Sequence, residues 1–484
     1  MRVSEYYGLG RTQATLDFVD VDTVDDTPVF ISPKALTMLP SQFGDECVHA
    51  VQSFFHTVLE LIRGGQNSEA ERLLRNLSEP NETRLGLSSG KARGRAIGSG
   101  SAHNVWEALS KSEAAKTGLL EDLEDTVLMV EGISVDIVSD ITTNIIRGPL
   151  IGYTQGMCDQ YGIPLEQNVN SGPLWNAQDK TWYSQLVSLP IASRERLLLV
   201  PKAIVRTNLQ YDAGEYFRHF LLTRMQQAEL SANTELVEVI RSGRGKKQRE
   251  RRRVTKKALI RKYGSGKGTI VRETRKHPEV LARYRSLKRD EKHLPLTLDD
   301  IASIEQVEGP NWESLISSIR PIPVGRADAT QYENAVEGLL TALFYPNLTY
   351  PIVQHEIHEG RKRIDITYTN MALNGFFKWV ATHYSAAHIF VECKNYGKEI
   401  GNPELDQLSG RFSPSRGQVG LLVCRSFQDK PLFMRRCMDT AKDSRGYIIA
   451  LDDDDLVRLT DARKQNPLYS DWSLLHERFG ALVN

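Results

Sequence analysis

The sequence predicts an α/β protein, with a C-terminal αβββαβ unit behind a large mixed, mainly helical region. Three observations predict it. Val336, Leu339, Leu340, Leu343 and Phe344 recur at i, i+3, i+4, i+7 and i+8, which makes one apolar helix face. Tyr350 to His358 and Arg363 to Tyr368 flank the turn Glu359-Gly360-Arg361 and form a hairpin. Ile389, Phe390 and Val391 make a short buried strand. A helix at Asn402 to Phe412, a strand at Gly417 to Cys424, a helix around Pro431 to Lys442 and a strand at Tyr447 to Leu451 complete the pattern.

The chain has 484 residues, enough for two to four domains at about 150 residues each. We divide it into 1–240, a mixed α/β or helical domain; 241–293, a basic helical segment; 294–327, a proline-containing connection; 328–460, the αβββαβ unit; and 461–484, an extension. In the first part, Asp17 to Phe30 alternates apolar and acidic residues, as one or two strands would. Val48, Val51, Phe55, Val58, Leu59 and Ile62 place a helical stripe over Gln42 to Arg63. Ser88 to Ser101 reads as a Gly/Ser/Arg loop. Leu119 to Glu131, Val135 to Tyr161 and Tyr211 to Leu230 read as helices, and Arg196 to Val205 as a buried strand interrupted by Pro201.

Hydrophobic residues are 40% and charged residues 25% of the chain, ordinary values for a globular protein. No stretch approaches the ~20 apolar residues of a membrane span, and the N-terminus lacks a signal-peptide core. The five cysteines are scattered, which argues against a zinc or disulfide framework and for a reducing cytoplasm. Formal net charge is zero over 61 basic and 61 acidic residues, yet Arg241 to Lys292 is strongly basic. Arg249, Arg251, Arg252, Arg253, Lys256 and Lys257 are candidate phosphate contacts there. The alternative is a solvated or intersubunit helix that neutralises an acidic neighbour.

Several apparent motifs fail on spacing. Tyr263 to Thr269 (YGSGKGT) has Arg261 where a phosphate-binding loop needs glycine, and Gly268 where it needs Ser or Thr. Gly98 to Gly100 lacks the rest of a dinucleotide fingerprint. His355 and His358, three apart on a strand, face opposite ways. Asp452 to Asp455 reads as an acidic helix start, favoured by the helix dipole.

One set carries chemistry. Glu392 and Lys394 are two apart on a strand, so both project from one side. Asp365 lies between Ile364 and Ile366 on the neighbouring hairpin strand, and Glu333 or Glu337 faces them from the preceding helix. Taken singly, Glu392 and Lys394 fit a surface ion pair and Asp365 an exposed strand residue. Together, two carboxylates can hold a hard cation such as Mg²⁺, and a lysine can orient water and stabilise developing charge.

This region resembles the PD-(D/E)xK nuclease superfamily, the restriction-endonuclease-like fold, and most closely its Mrr-type or resolvase-like branch. The resemblance rests on Tyr332-Glu333, Arg361 to Ile366, Glu392-Cys393-Lys394 and Gln407, and covers about 130 residues. It implies a mixed sheet and a Mg²⁺-dependent DNA endonuclease, with Mn²⁺ able to substitute. It implies metal binding by Asp365, Glu392 and Glu333, water activation by Lys394, and a catalytic position for Gln407. RNA cleavage on the same fold, or a non-catalytic nucleic-acid-binding scaffold, are the alternatives. The expected partner is DNA, with no membrane, and the N-terminal region either targets the nuclease or assembles it with a protein partner or a second copy. A homo-oligomer is expected. By analogy alone, such an architecture suggests defence against foreign DNA.

Overall fold

The computed structural model describes residues 1–86, 99–208, 211–242, 249–290, 294–357, 361–396, 399–466 and 471–484. It is a mixed α/β chain, about half helical, with two principal hydrophobic cores. His358, Glu359 and Gly360 of the expected turn and most of the loop at 88–101 fall outside the described residues, while Ser99–Lys111 is helical.

The first core is organised by the helix Gln42–Arg63. Ser41 starts it by accepting a hydrogen bond from the Gly44 N–H at 3.2 Å, which satisfies one of the otherwise orphaned amides of the first turn. Phe54, Phe55, Val58, Leu59 and Ile62 line its buried face. The continuous helix expected at 135–161 is two, Val135–Ile145 and Arg147–Tyr161, meeting at Ile146. In 119–131 only Asp125–Met129 is helical. Tyr211 to Leu230 is helical around one π-helical segment, Tyr216–Leu221.

The strand expected at 196–205 is corrected. Leu197 to Val200 are buried, but Lys202–Ile204 forms a 3-10 turn, and pairing is confined to the ends, Arg196 with Ile191 and Val205–Arg206 with Phe30–Ile31, and to one bridge at Pro201. Pro201 has no N–H to give a ladder. Asp17 to Phe30 likewise makes isolated bridges, such as Phe18 with Pro201, rather than full strands.

The basic segment is also corrected. It opens as an antiparallel ribbon, Glu238–Ser242 against Arg249–Arg253. A helix would stack Arg249, Arg252 and Arg253 at i, i+3 and i+4, where like charges repel. The ribbon instead pairs Arg253 with Glu238 and sets Arg251 opposite Ile240. The helices that follow, Lys256–Tyr263, Lys267–Lys276 and Pro278–Asp290, bury Leu259, Ile270, Leu281 and Tyr284 in the first core. The connection 294–327 carries two short helices, Leu298–Glu305 and Trp312–Ser317.

The second core surrounds a five-stranded sheet. Helix α1 (Ala329–Phe344) precedes β1 (Leu348–Ile357) and β2 (Lys362–Asn370). Then come α2 (Gly375–His383), β3 (His388–Lys394), α3 (Asn402–Ser409), β4 (Val419–Cys424), α4 (Lys430–Lys442), β5 (Tyr447–Asp452), α5 (Asp453–Gln465) and α6 (Ser473–Val483). Spatial order is β1-β2-β3-β4-β5. The first two pairings are antiparallel and the last two parallel. Every residue of β4 is buried, as expected for a strand covered on both faces. Residues 461–484 are not an appendage: Trp472, Leu475 and Phe479 are buried in this core. Among the described residues no helix is long and apolar enough to cross a membrane.

Candidate active site

The sheet register builds the site. Ile366 pairs with Val391 across β2 and β3, so the next residues outward, Asp365 and Glu392, stand opposite each other. There the ladder is replaced by a side chain: Asp365 Oδ2 accepts from the Cys393 backbone N–H at 2.8 Å. Ile364 and Ile366, both fully buried, anchor the strand on either side of Asp365 and fix its direction.

Two residues along β3, Lys394 Nζ donates to Glu392 Oε1 at 2.7 Å and to Gln407 Oε1 at 3.2 Å. Gln407, on α3, also donates its Nε2 to Glu392 Oε1. Helix α3 is held in register by Gly401, whose backbone N–H donates to Glu404 at 2.9 Å. Glu392 and Lys394 are both buried, so the pair is not the exposed ion pair that each residue alone would suggest.

Burial pushes the Glu392 carboxyl up to about 6, the nearby Asp365 charge adds to this, and Lys394 opposes it. Burial likewise raises Asp365, against the pull of the Cys393 N–H and of Lys394. Burial works to discharge Lys394, but Glu392 and Asp365 outweigh it and hold the ammonium above its ordinary value. Closely set carboxylates with separated environments are a recurring mark of functional sites.

Glu333, on α1, lies near enough for the charges of Asp365 and Glu392 to act on it. Burial pushes it to about 7, with Asp365 and Glu392 also raising it and the hydrogen bond from Gln354 opposing. Glu337, the other candidate, is turned elsewhere. It is fully buried, pairs with Arg11 of the first unit, and accepts from Thr341 Oγ1 at 2.8 Å. Asp365, Glu392, Lys394 and Gln407 are thus brought together by register and hydrogen bonds, Glu333 lies within reach of the charges of Asp365 and Glu392, and Glu337 pairs elsewhere.

The fit to a divalent cation turns on one atom. Glu392 Oε2 is buried and has no hydrogen-bond partner, whereas buried polar atoms are nearly always satisfied. Among the described residues no group of three or more His, Cys, Asp or Glu side chains forms a ready-made metal cage. Mg²⁺ does not need one: it is usually held by one or two carboxylates and keeps its waters. The Asp365–Glu392 pair with a free oxygen meets that requirement.

Two residues escaped sequence reading. Arg411 lowers the pKa values of both Asp365 and Glu392 by its charge and is tied to the Arg363 carbonyl at 2.8 Å. Gln354 donates to Glu333 Oε1 at 2.5 Å. Neither stands at a spacing that would mark it in the sequence.

The candidate phosphate contacts divide. Arg251, Arg252, Arg253 and Lys257 are exposed. Arg252 also bonds Asn233, Arg253 bonds Glu238 and Lys256 bonds the Arg218 carbonyl. The side chain of Arg249 is outside the described residues. His355 turns its Nδ1 to Thr367 Oγ1 at 3.1 Å, and Asp452 caps α5 by accepting from the Asp455 N–H at 3.0 Å.

A hollow of about 1170 Å³ lies in the first unit, with Asp26, Glu79, Asp136 and Asp140 on its wall. Burial, then Asp136, Glu79 and Asp26, push Asp140 to about 8. Size alone would nominate this hollow. The lysine–carboxylate contact and the unsatisfied carboxylate oxygen are at the sheet, and the candidate site is placed there. Neither the curated proteins nor the solved structures yield a match to the chain. Residues 8–212, within the first unit, match a protein family described as a domain of unknown function, DUF8370.

Proposed function

We propose that this protein is a metal-dependent endonuclease that hydrolyses phosphodiester bonds in DNA, with a second unit built on the restriction-endonuclease-like fold. The observation that carries the reading is the free, buried Glu392 oxygen beside Asp365, with Lys394 bonded to the other oxygen of the same carboxylate. Asp365 and Glu392 would hold Mg²⁺, which supplies Lewis acidity toward the attacking water and the phosphoryl oxygens. Glu333 adds a third carboxylate at the edge of the site.

Lys394, kept charged, has donors to direct toward a water or a phosphoryl oxygen in the transition state. Gln407 bonds both Lys394 and Glu392, which fixes their orientation before substrate arrives. Arg411 and Arg363 place positive charge beside Asp365, the sign that attracts a phosphate backbone. The exposed Arg251, Arg252, Arg253 and Lys257 support nucleic acid as the partner, since phosphate contacts dominate such affinity.

The test is incubation of the full chain with plasmid DNA and with RNA, in Mg²⁺, in Mn²⁺ and in EDTA. DNA cleavage in both metals and none in EDTA is the expected result. RNA cleavage alone would move the assignment to a ribonuclease, and binding without cleavage to a scaffold. Charge reversal at Arg251, Arg252 and Lys257 is expected to weaken duplex binding. It is also expected to flatten the dependence of log K on log salt by about 0.9 per lost phosphate contact, read by fluorescence anisotropy. An unchanged slope would remove the ribbon from the DNA-binding surface.

A further inference from the structure

Gln354 sits in the middle of edge strand β1 with φ of +53°, a left-handed conformation that a side chain other than glycine seldom adopts. Its neighbours are regularly paired, Val353 with Ile366 and His355 with Ile364. Gln354 therefore stands across from Asp365. In that position its Nε2 donates to Glu333 Oε1 at 2.5 Å, joining β1 to α1 beside Asp365. β1 continues beyond it to Ile357, and the strand's other left-handed residue, Tyr350, stands at the register shift between Thr349 and Ile352. Strained residues held in place by regular surroundings concentrate at functional sites.

We infer that Gln354 is a positioning residue: its strained backbone presents an amide that holds the Glu333 carboxylate toward the site formed by Asp365 and Glu392. The inference rests on the nuclease reading for the role of Glu333, and its content is the orientation of that side chain. Gln354 acts through Glu333, as the outer partners of metal-binding carboxylates do.

The probe is Mn²⁺, titrated into the full chain by calorimetry, with plasmid cleavage measured alongside. Gln354→Gly keeps the backbone conformation open and removes only the amide. Its Mn²⁺ affinity is expected to fall by about 10-fold. In a Glu333→Gln background the same change is expected to alter affinity less than about 2-fold, because the partner is already gone. Gln354→Ala should bind like Gln354→Gly but unfold about 1–3 °C lower in EDTA, since alanine bears the left-handed strain that glycine does not. Wild-type affinity in Gln354→Gly, or an undiminished loss in the Glu333→Gln background, overturns the inference. A wild-type chain that binds Mn²⁺ without cutting overturns the nuclease reading and leaves the Gln354–Glu333 contact standing. One that does neither overturns both.

Discussion

Replacing Lys394 by Ala in the full chain is expected to lower kcat for DNA cleavage by about 10²- to 10⁴-fold with duplex affinity, measured in EDTA, unchanged. Lys394 makes two of the hydrogen bonds that define the site, to Glu392 Oε1 and to Gln407 Oε1. Its charge also opposes the rise in the Glu392 pKa caused by burial and by Asp365. Without the ammonium, that carboxyl moves further toward the neutral form, a poorer cation ligand. The loss should therefore exceed that of one donor and appear partly as weaker Mn²⁺ binding. Glu392→Gln should be at least as inactive, since it removes the negative charge and the free oxygen together. A Lys394→Ala protein that cuts at the wild-type rate would refute the site assignment.

The second large effect is on stability. Arg11 is the charged partner of Glu337, which is fully buried in α1. Arg11→Met is expected to destabilise the chain by about 3–5 kcal/mol, the usual consequence of leaving one member of a buried ion pair alone. Adding Glu337→Leu should recover most of that loss, because an apolar pair of similar volume avoids the desolvation of both charges. Urea unfolding of the single and double variants measures both, and additive losses would sink the claim. The contact also ties the N-terminal segment to α1. Glu337 is one helical turn beyond Glu333, and Thr341 and Tyr368 bond to it from α1 and β2. A Cβ on Gly338 would meet Arg11 Nη1 at 3.3 Å, a tight contact beside the pair. Asp17 adds a second tie by accepting from the Tyr350 N–H at 2.9 Å, at the start of β1.

Much of the second unit was legible because its elements are local and periodic. The apolar spacing from Val336 to Phe344 gives α1, and the buried run Ile389 to Val391 gives β3. The helix over Gln42 to Arg63 follows the same logic. Where propensity met a long-range requirement, the reading failed. Pro201 turned an apolar run into a 3-10 turn, repulsion among arginines favoured a ribbon over a helix, and residues 461–484 were drawn into the core by Trp472 and Phe479.

Alone, the sequence determined which side chains share a strand face. Glu392 and Lys394 are two residues apart, and that alternation is a property of any extended chain. It could not choose between Glu333 and Glu337, which lie one turn apart on the same helical edge. In the tertiary structure Arg11, 326 residues away, lies against Glu337, while Gln354 bonds Glu333. Tertiary structure also placed Gln354 across from Asp365 and left one Glu392 oxygen unsatisfied. Backbone periodicity is set by neighbouring residues, whereas pairing of buried charges and strand register are set by whichever distant segment packs there.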